Sequence, residues 1–277
     1  MMTDRLRQIR HVVLDLDGTI YLGQSLFAAT RPFLARLDDL GIRHTFITNN
    51  PTKSVADYLD HLEQLGIAAR PEQLYTSTQA TIAFLRQLQP RPRRLFVLGT
   101  ESMSREFAVA GFSLCADSPN DEPDAVVISF DKTLTYSRLC RAAWWIKHDK
   151  PFVATNPDRV CPTDEPTVLV DCGSICAALQ IATGRAPTAV LGKPDPAMLR
   201  GIMERHGLGA QQLAMVGDRL YTDMAMARRA GVLGVLVLTG ETTAAAAAKH
   251  TPPPDLVVSD LAELGEMLHA ARSAQTR

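Results

Sequence analysis

Short apolar runs rich in valine, isoleucine and leucine recur along this 277-residue chain, and each breaks into a polar turn before a segment with helical spacing. His11 to Leu14 runs into Asp15-Leu16-Asp17-Gly18-Thr19, and Ile42 to Thr48 runs into Asn49-Asn50-Pro51. Such runs are too short for buried helices and read as strands. Helices are expected at Arg31 to Leu40, closed by Gly41, at Ser54 to Leu65, closed by Gly66, and at Gln79 to Leu88, which meets Pro90. The rhythm restarts at Arg94, with strands at Leu95 to Leu98, Ala125 to Ser129 and Phe152 to Thr155 and a helix at Ser137 to His148. Thr188 to Leu191, Leu213 to Val216, Gly234 to Leu238 and Leu256 to Val258 follow as strands, with helices at Pro196 to His206 and Asp223 to Ala230 and a short one at Ala244 to Ala248. Strands that are apolar throughout, alternating with helices, predict a parallel sheet covered on both faces.

The length suits two lobes better than one core. The restart at Arg94 places them at residues 1–80 plus 187–277 and at residues 81–186. Lys+Arg of 29 against Asp+Glu of 30 leaves a formal net charge of -1, so no broad field attracts a nucleic acid polymer and any anion must be held locally. No apolar run reaches membrane-helix length, and Asp4, Arg5, Arg7 and Arg10 replace the core of a signal peptide, so no membrane association and a cytoplasmic location are expected. The five cysteines are scattered and odd in number, which predicts reduced thiols. Gly207-Leu208-Gly209 lacks the third glycine of a dinucleotide site. Trp144-Trp145 reads as core packing or a contact between lobes of two chains.

Ligands of open α/β sheets gather beyond the carboxyl ends of the strands. Four polar clusters occupy that position: Asp15-Leu16-Asp17-Gly18-Thr19, Thr48-Asn49-Asn50, Gly192-Lys193-Pro194, and Gly217-Asp218-Arg219-Leu220-Tyr221-Thr222-Asp223. Together they set Asp15, Asp17, Asp218 and Asp223 against one lysine, an arrangement that repels itself unless a cation enters. The available ligands are oxygens, which selects Mg²⁺, with Asp15, Asp17 and Asp218 as its expected ligands. Mg²⁺ characteristically retains waters and takes a substrate phosphate, which points to phosphoryl transfer. Asp15, fixed at a strand end, is the expected nucleophile; Asp17 is the expected acid and then base. Lys193, the Thr48 hydroxyl and the Asn49 N–H are expected on the phosphate, with Asn50 beside them. Gly18, Thr19 and Gly217 shape the turns. Asp223 reads equally as a helix cap and as a support that orients Lys193 or a metal-bound water.

The order DLDGT, TNN, GKP and GDRLYTD resembles the haloacid dehalogenase (HAD) superfamily, and its spacing resembles subfamily IIA, which includes nucleotide and nitrophenyl phosphatases of the NagD type. The resemblance implies a HAD-like Rossmannoid parallel-sheet core with an inserted α/β cap of C2 type. It assigns the nucleophile to Asp15, the acid/base role to Asp17, phosphate binding to Thr48 and Lys193, and metal binding to the late acidic pair. Ala154-Thr155-Asn156-Pro157-Asp158 resembles a cap signature of subfamily IIA, which puts Asn156 and Asp158 on the substrate side. Val170-Asp171-Cys172-Gly173-Ser174 departs from the proline-glycine turn common in relatives, and the cap is expected to set what fits. A homodimer through the cap is a family-level expectation. The expected activity is Mg²⁺-dependent hydrolysis of a small phosphorylated metabolite through an aspartyl-phosphate. The alternatives are a metal-independent dehalogenase and a phosphometabolite-binding protein without turnover.

Overall fold

The computed structural model describes residues 2–161 and 166–273. Its principal strands are β1 (His11–Asp15), β2 (Arg43–Thr48), β3 (Leu74–Thr76), β4 (Arg94–Leu98), β5 (Ser113–Leu114), β6 (Ala125–Ile128), β7 (Phe152–Ala154), β8 (Ala189–Val190), β9 (Leu213–Gly217), β10 (Leu233–Val237) and β11 (Leu256–Val258). The helices are α1 (Met2–Gln8), α2 (Thr30–Asp39), α3 (Val55–Gln64), α4 (Ser77–Gln87), α5 (Glu101–Val109), α6 (Tyr136–Lys147), α7 (Cys172–Thr183), α8 (Ala197–His206), α9 (Ala225–Ala230), α10 (Ala244–Lys249) and α11 (Leu261–Ser273). The described chain forms two compact units, residues 2–48, 61–75 and 193–273, and residues 49–60, 76–161 and 166–192.

In the first unit six strands are ordered β11-β10-β9-β1-β2-β3. β1 pairs in parallel with β9 and β2, β9 with β10, and β10 with β11. Every residue of β1, β9 and β10 is buried, as strands covered on both faces require. The parallel register brings the carboxyl ends of β1, β2 and β9 to one edge of the sheet, so Asp15, Thr48 and Gly217 end there together. α11 packs against both α1 and α2.

The second unit has its own parallel sheet, ordered β8-β7-β6-β4-β5. Its strands divide their side chains by the two-residue period. Phe96, Leu98, Val126, Ile128, Phe152 and Ala154 enter one cluster with Trp145, Ile146 and Leu179 from α6 and α7. Leu95, Val97, Ala125, Val127 and Val153 enter another with Met103 and Phe107 from α5 and Leu85 from α4. The sheet therefore carries an apolar core on each face. Cys172 and Cys176 are free thiols buried in the first of these cores, one turn apart on α7.

Apart from β3 and β5 these strands follow the sequence expectation, whereas α1, α5, α7 and α11 lie outside it. α5 is anchored by only two buried side chains, Met103 and Phe107, and is started by Thr100, whose hydroxyl accepts from the Met103 N–H at 3.3 Å. So few apolar anchors give a weak periodic signal, and packing supplies the rest. Among the described residues no helix is long and apolar enough to cross a membrane.

His11 opens β1 with 1% of its surface exposed, and its Nε2 lies 2.9 Å from the Thr45 hydroxyl. Burial, then the charges of His206 and Arg43, lower its pKa from 6.5 to about 3. The folded chain thus stays neutral at His11 where the unfolded chain takes up a proton. Its contribution is complete above pH 6.5 and is lost as pH falls toward 3. Urea unfolding should show His11 removing about 1.4 kcal/mol of stability per pH unit below about pH 6, and His11→Gln should flatten that slope. Equal slopes in the two proteins would refute the assignment.

Candidate active site

The first unit brings three buried carboxylates and one ammonium together. Asp15 ends β1, Asp218 follows β9, and Asp223 sits in a π-type turn, Leu220–Met224, that leads into α9. Carboxylate oxygens of Asp15, Asp218 and Asp223 all lie within 4.8 Å of one another. Lys193 is 3% exposed; its Nζ donates to Asp15 Oδ1 at 2.5 Å and lies 2.7 Å from Asp223 Oδ1. Of the two readings of Asp223, the lysine contact is thus present, and its Oδ2 also accepts from the Arg219 N–H at 3.1 Å. The Asp17 side chain stands outside the carboxylate cluster and is half-buried.

Burial first, then the neighbouring charges of Asp15 and Asp223, pushes the Asp218 carboxyl well above its usual range. Burial also raises Asp223, and the attraction of Lys193 only partly offsets it. For Lys193 burial acts the other way, yet Asp15 and Asp223 together raise its pKa. With Arg219 and its partner Glu241 included, four carboxylates face two cations, which leaves the pocket net negative. Asp218 Oδ1 is buried with no hydrogen-bond partner. An orphaned carboxylate oxygen beside two further carboxylates is a donor set suited to a hard divalent cation.

Close backbone approach explains the glycines. A Cβ on Gly18, whose φ is +83°, would lie 2.5 Å from Asp218 Oδ2, and one on Gly217 would lie 2.3 Å from Asp223 Cγ. Either would displace a carboxylate of the cluster. Thr19 is wholly buried in the same turn, where its N–H donates to Leu16 O at 3.2 Å, and Thr48 is buried at the end of β2.

The sequence reading missed the loop after β10. The Glu241 N–H donates to Asp218 Oδ2 at 2.6 Å, and the Thr239 hydroxyl donates to Gly18 O at 2.6 Å. A Cβ on Gly240 would fall 2.0 Å from Asp218 Oδ2. The Glu241 carboxylate is held by Arg219 Nε at 3.1 Å and by the Tyr221 hydroxyl at 3.2 Å. One short loop thus fastens both the DLDGT turn and Asp218. Its signal was a Thr-Gly-Glu triplet closing an apolar strand, the same position that marked the other four clusters.

Asn49, Asn156 and Asp158 meet inside the second unit. Asn49 Nδ2 donates to Asp158 Oδ2 at 3.2 Å, while Asn49 O accepts from the Ser77 hydroxyl and from Asn156 Nδ2, each at 3.0 Å. Asn156 is fully buried, and its Nδ2 also approaches Asp171 Oδ1 at 3.3 Å. Its amide hydrogens are therefore used within the protein. Asp171 caps α7 as well, accepting from the Cys172 N–H at 2.5 Å. Gly173 fits there because a Cβ would sit 2.3 Å from Pro157 O. Asn50 forms an Asx turn, its Oδ1 accepting from the Thr52 hydroxyl at 2.7 Å and N–H at 3.1 Å.

A family profile described as haloacid dehalogenase-like hydrolase matches residues 12–113, and a second, described as HAD-hydrolase-like, matches residues 190–264. An acid sugar phosphatase of Staphylococcus aureus is 31% identical over 259 residues, covering 93% of this chain and 97% of the relative. The chain belongs to the haloacid dehalogenase-like hydrolases. Within that superfamily it is a NagD-like phosphatase of subfamily IIA. The crystal structure of a 4-nitrophenylphosphatase from Thermotoga maritima superposes with a TM-score of 0.89 at 38% identity, covering 95% of this chain and 98% of the other. A glycerol phosphate phosphatase from Mycobacterium tuberculosis, crystallised with magnesium, superposes with a TM-score of 0.83 at 33% identity, covering 95% of this chain and 77% of the other.

Thr239→Val deletes the donor to Gly18 O and leaves that carbonyl to be satisfied elsewhere. The substitution should cost about 1–3 kcal/mol of stability in urea unfolding, with Thr239→Ser restoring most of it. No change on Thr239→Val would show that the loop does not brace the turn.

Proposed function

We propose that this HAD-family phosphatase hydrolyses small phosphomonoesters, with sugar phosphates and nitrophenyl phosphate first among them, through an aspartyl-phosphate on Asp15. The observation that carries the reading is the ion-paired cluster in which Lys193 spans Asp15 and Asp223 while Asp218 Oδ1 stays unbonded. The names of the Staphylococcus aureus and Thermotoga maritima relatives support the substrate classes. The magnesium in the Mycobacterium tuberculosis relative supports Mg²⁺ as the cation that this donor set takes.

In the first half-reaction an Asp15 carboxylate oxygen attacks phosphorus and forms an acyl-phosphate bond. The P–O bond to the leaving group breaks, and Asp17 gives its proton to the departing alkoxide. In the second half-reaction Asp17, now a carboxylate, takes a proton from water as that oxygen attacks phosphorus, which releases phosphate and restores Asp15. Lys193 offsets charge on the phosphoryl oxygens, and Thr48 with the Asn49 N–H donates to them. Asp15 and Asp218 would hold Mg²⁺, which when bound would neutralise phosphoryl charge. Asp223 keeps the Lys193 ammonium in place.

Phosphate release from a panel of sugar phosphates, nucleotide monophosphates and p-nitrophenyl phosphate should require both Mg²⁺ and Asp15, and Asp15→Asn should abolish it. Beryllium fluoride should be trapped by the wild type only with Mg²⁺. Tight trapping by folded Asp15→Asn would sink the nucleophile assignment, and chloride release without metal would favour a dehalogenase. Tight ligand binding without turnover across the panel would favour a binding protein. Lys193→Met should lower kcat/KM by about two to three orders of magnitude, the loss typical when one preorganised charge donor is removed. An unchanged kcat/KM would exclude Lys193 from the phosphate.

A further inference from the structure

The arginines near the amino terminus serve neither the acidic cluster nor the core. Arg7 and Gln8 from α1, Arg10 from the turn before β1, and Arg272 from α11 line a cleft of about 420 Å³. The volume falls in the range of small-ligand sites, about 300–1,000 Å³. β1 runs from this cleft at its amino end to Asp15 at its carboxyl end, a rise of roughly 13 Å over four residues. The cleft is therefore distinct from the candidate active site, and both lie in the first unit.

The charge of the lining is poorly compensated. Arg7 Nη1 pairs with Asp4 Oδ1 at 3.4 Å. Among the described residues neither Arg10 nor Arg272 has a carboxylate partner. Arg272 donates through Nη1 to Leu40 O and through Nη2 to Ile9 O at 2.7 Å, while its Nε is buried with no hydrogen-bond partner. Burial, and then the like charge of Arg10, lower the Arg272 pKa. Arg7 also donates through Nε to Ala271 O at 3.1 Å, so the same guanidinium groups tie α1 and α11 to the start of β1. Among the described residues, three guanidinium groups and one carboxylate leave two positive charges at this cleft, in a chain whose formal net charge is -1.

We propose that this arginine cleft is a second anion site, which takes a small soluble diphosphate or triphosphate group independently of the catalytic metal. Arg10 has a whole guanidinium fork to set against a pair of phosphate oxygens, and the remaining Nη hydrogens and charge of Arg7 and Arg272 around the same concavity suit two linked phosphoryl groups better than one carboxylate. A nucleic acid polymer or a lipid surface would need a wider basic face, which the near-neutral charge of the chain argues against. The bound anion bridges α1, α11 and the start of β1, so binding stabilises the folded unit.

Inorganic pyrophosphate is the probe, titrated calorimetrically into the full chain in EDTA, with thermal unfolding followed in parallel. The wild type should bind pyrophosphate and unfold at a higher temperature with it. Arg10→Gln, which removes no described bond, and the double variant Arg7→Gln/Arg10→Gln should weaken binding about tenfold or more, with p-nitrophenyl phosphate hydrolysis unchanged when pyrophosphate is absent. Arg105→Gln/Arg200→Gln, which removes two exposed positive charges elsewhere, should bind as the wild type does. No pyrophosphate binding by the wild type would overturn the proposal, as would equal binding by the double variant. Equal weakening in the Arg105/Arg200 control would reduce the effect to general charge attraction. Binding to anionic lipid vesicles without binding to pyrophosphate would reassign the cleft to a membrane surface. Pyrophosphate binding and thermal unfolding are read without turnover, so the proposal stands or falls apart from the catalytic reading.

Discussion

A single buried ammonium holds the core site together. Lys193 touches both Asp15 and Asp223, and these residues come from three distant parts of the chain: the loop after β8, the end of β1 and the turn before α9. Removing one partner of such a buried pair typically costs about 3–5 kcal/mol, because the other charge is stranded. Without the lysine, burial would favour the protonated form of both carboxyls. The lysine cannot neutralise all three, and among the described residues Asp218 Oδ1 is left with no hydrogen-bond partner. Structural cohesion and a donor set suited to a hard cation thus arise from the same imbalance.

The sheet makes that imbalance possible. Parallel pairing carries the carboxyl ends of β1, β2 and β9 to one edge, where chain ends that are remote in sequence release their polar turns side by side. Glycines then decide how near the turns come. Gly18, Gly217 and Gly240 each stand where a Cβ would meet Asp218 or Asp223. The Thr239-Gly240-Glu241 loop adds the final brace through a hydroxyl and a backbone N–H. Backbone donors of this kind leave little trace in a sequence, since nearly any residue type can provide the N–H.

Asn156 shows how the contacts of a residue that a motif singles out can escape the sequence. Its cap signature drew attention to it, and the amide is engaged by Asn49 O and Asp171 Oδ1 within the second unit. Ser77 and Asp171 join the same network, yet nothing in their local spacing distinguished them from ordinary helix-start residues. A buried hydrogen-bond network is a property of several segments at once, and a linear pattern reports only one segment at a time.

The alternation of apolar strand, polar turn and helix was enough by itself to give a parallel α/β fold, because burial on both faces requires uninterrupted apolar strands. Likewise Asp15, Lys193 and Asp218 were legible because charged side chains directly beyond strand ends have no place in a core. Tertiary structure alone decided which of the carboxylates cluster, that Asp223 touches Lys193, that the loop after β10 clamps Asp218, and that arginines from both ends of the chain line one cleft. Those facts depend on separations of a few ångströms between segments far apart in the chain, and it is folding that sets such distances.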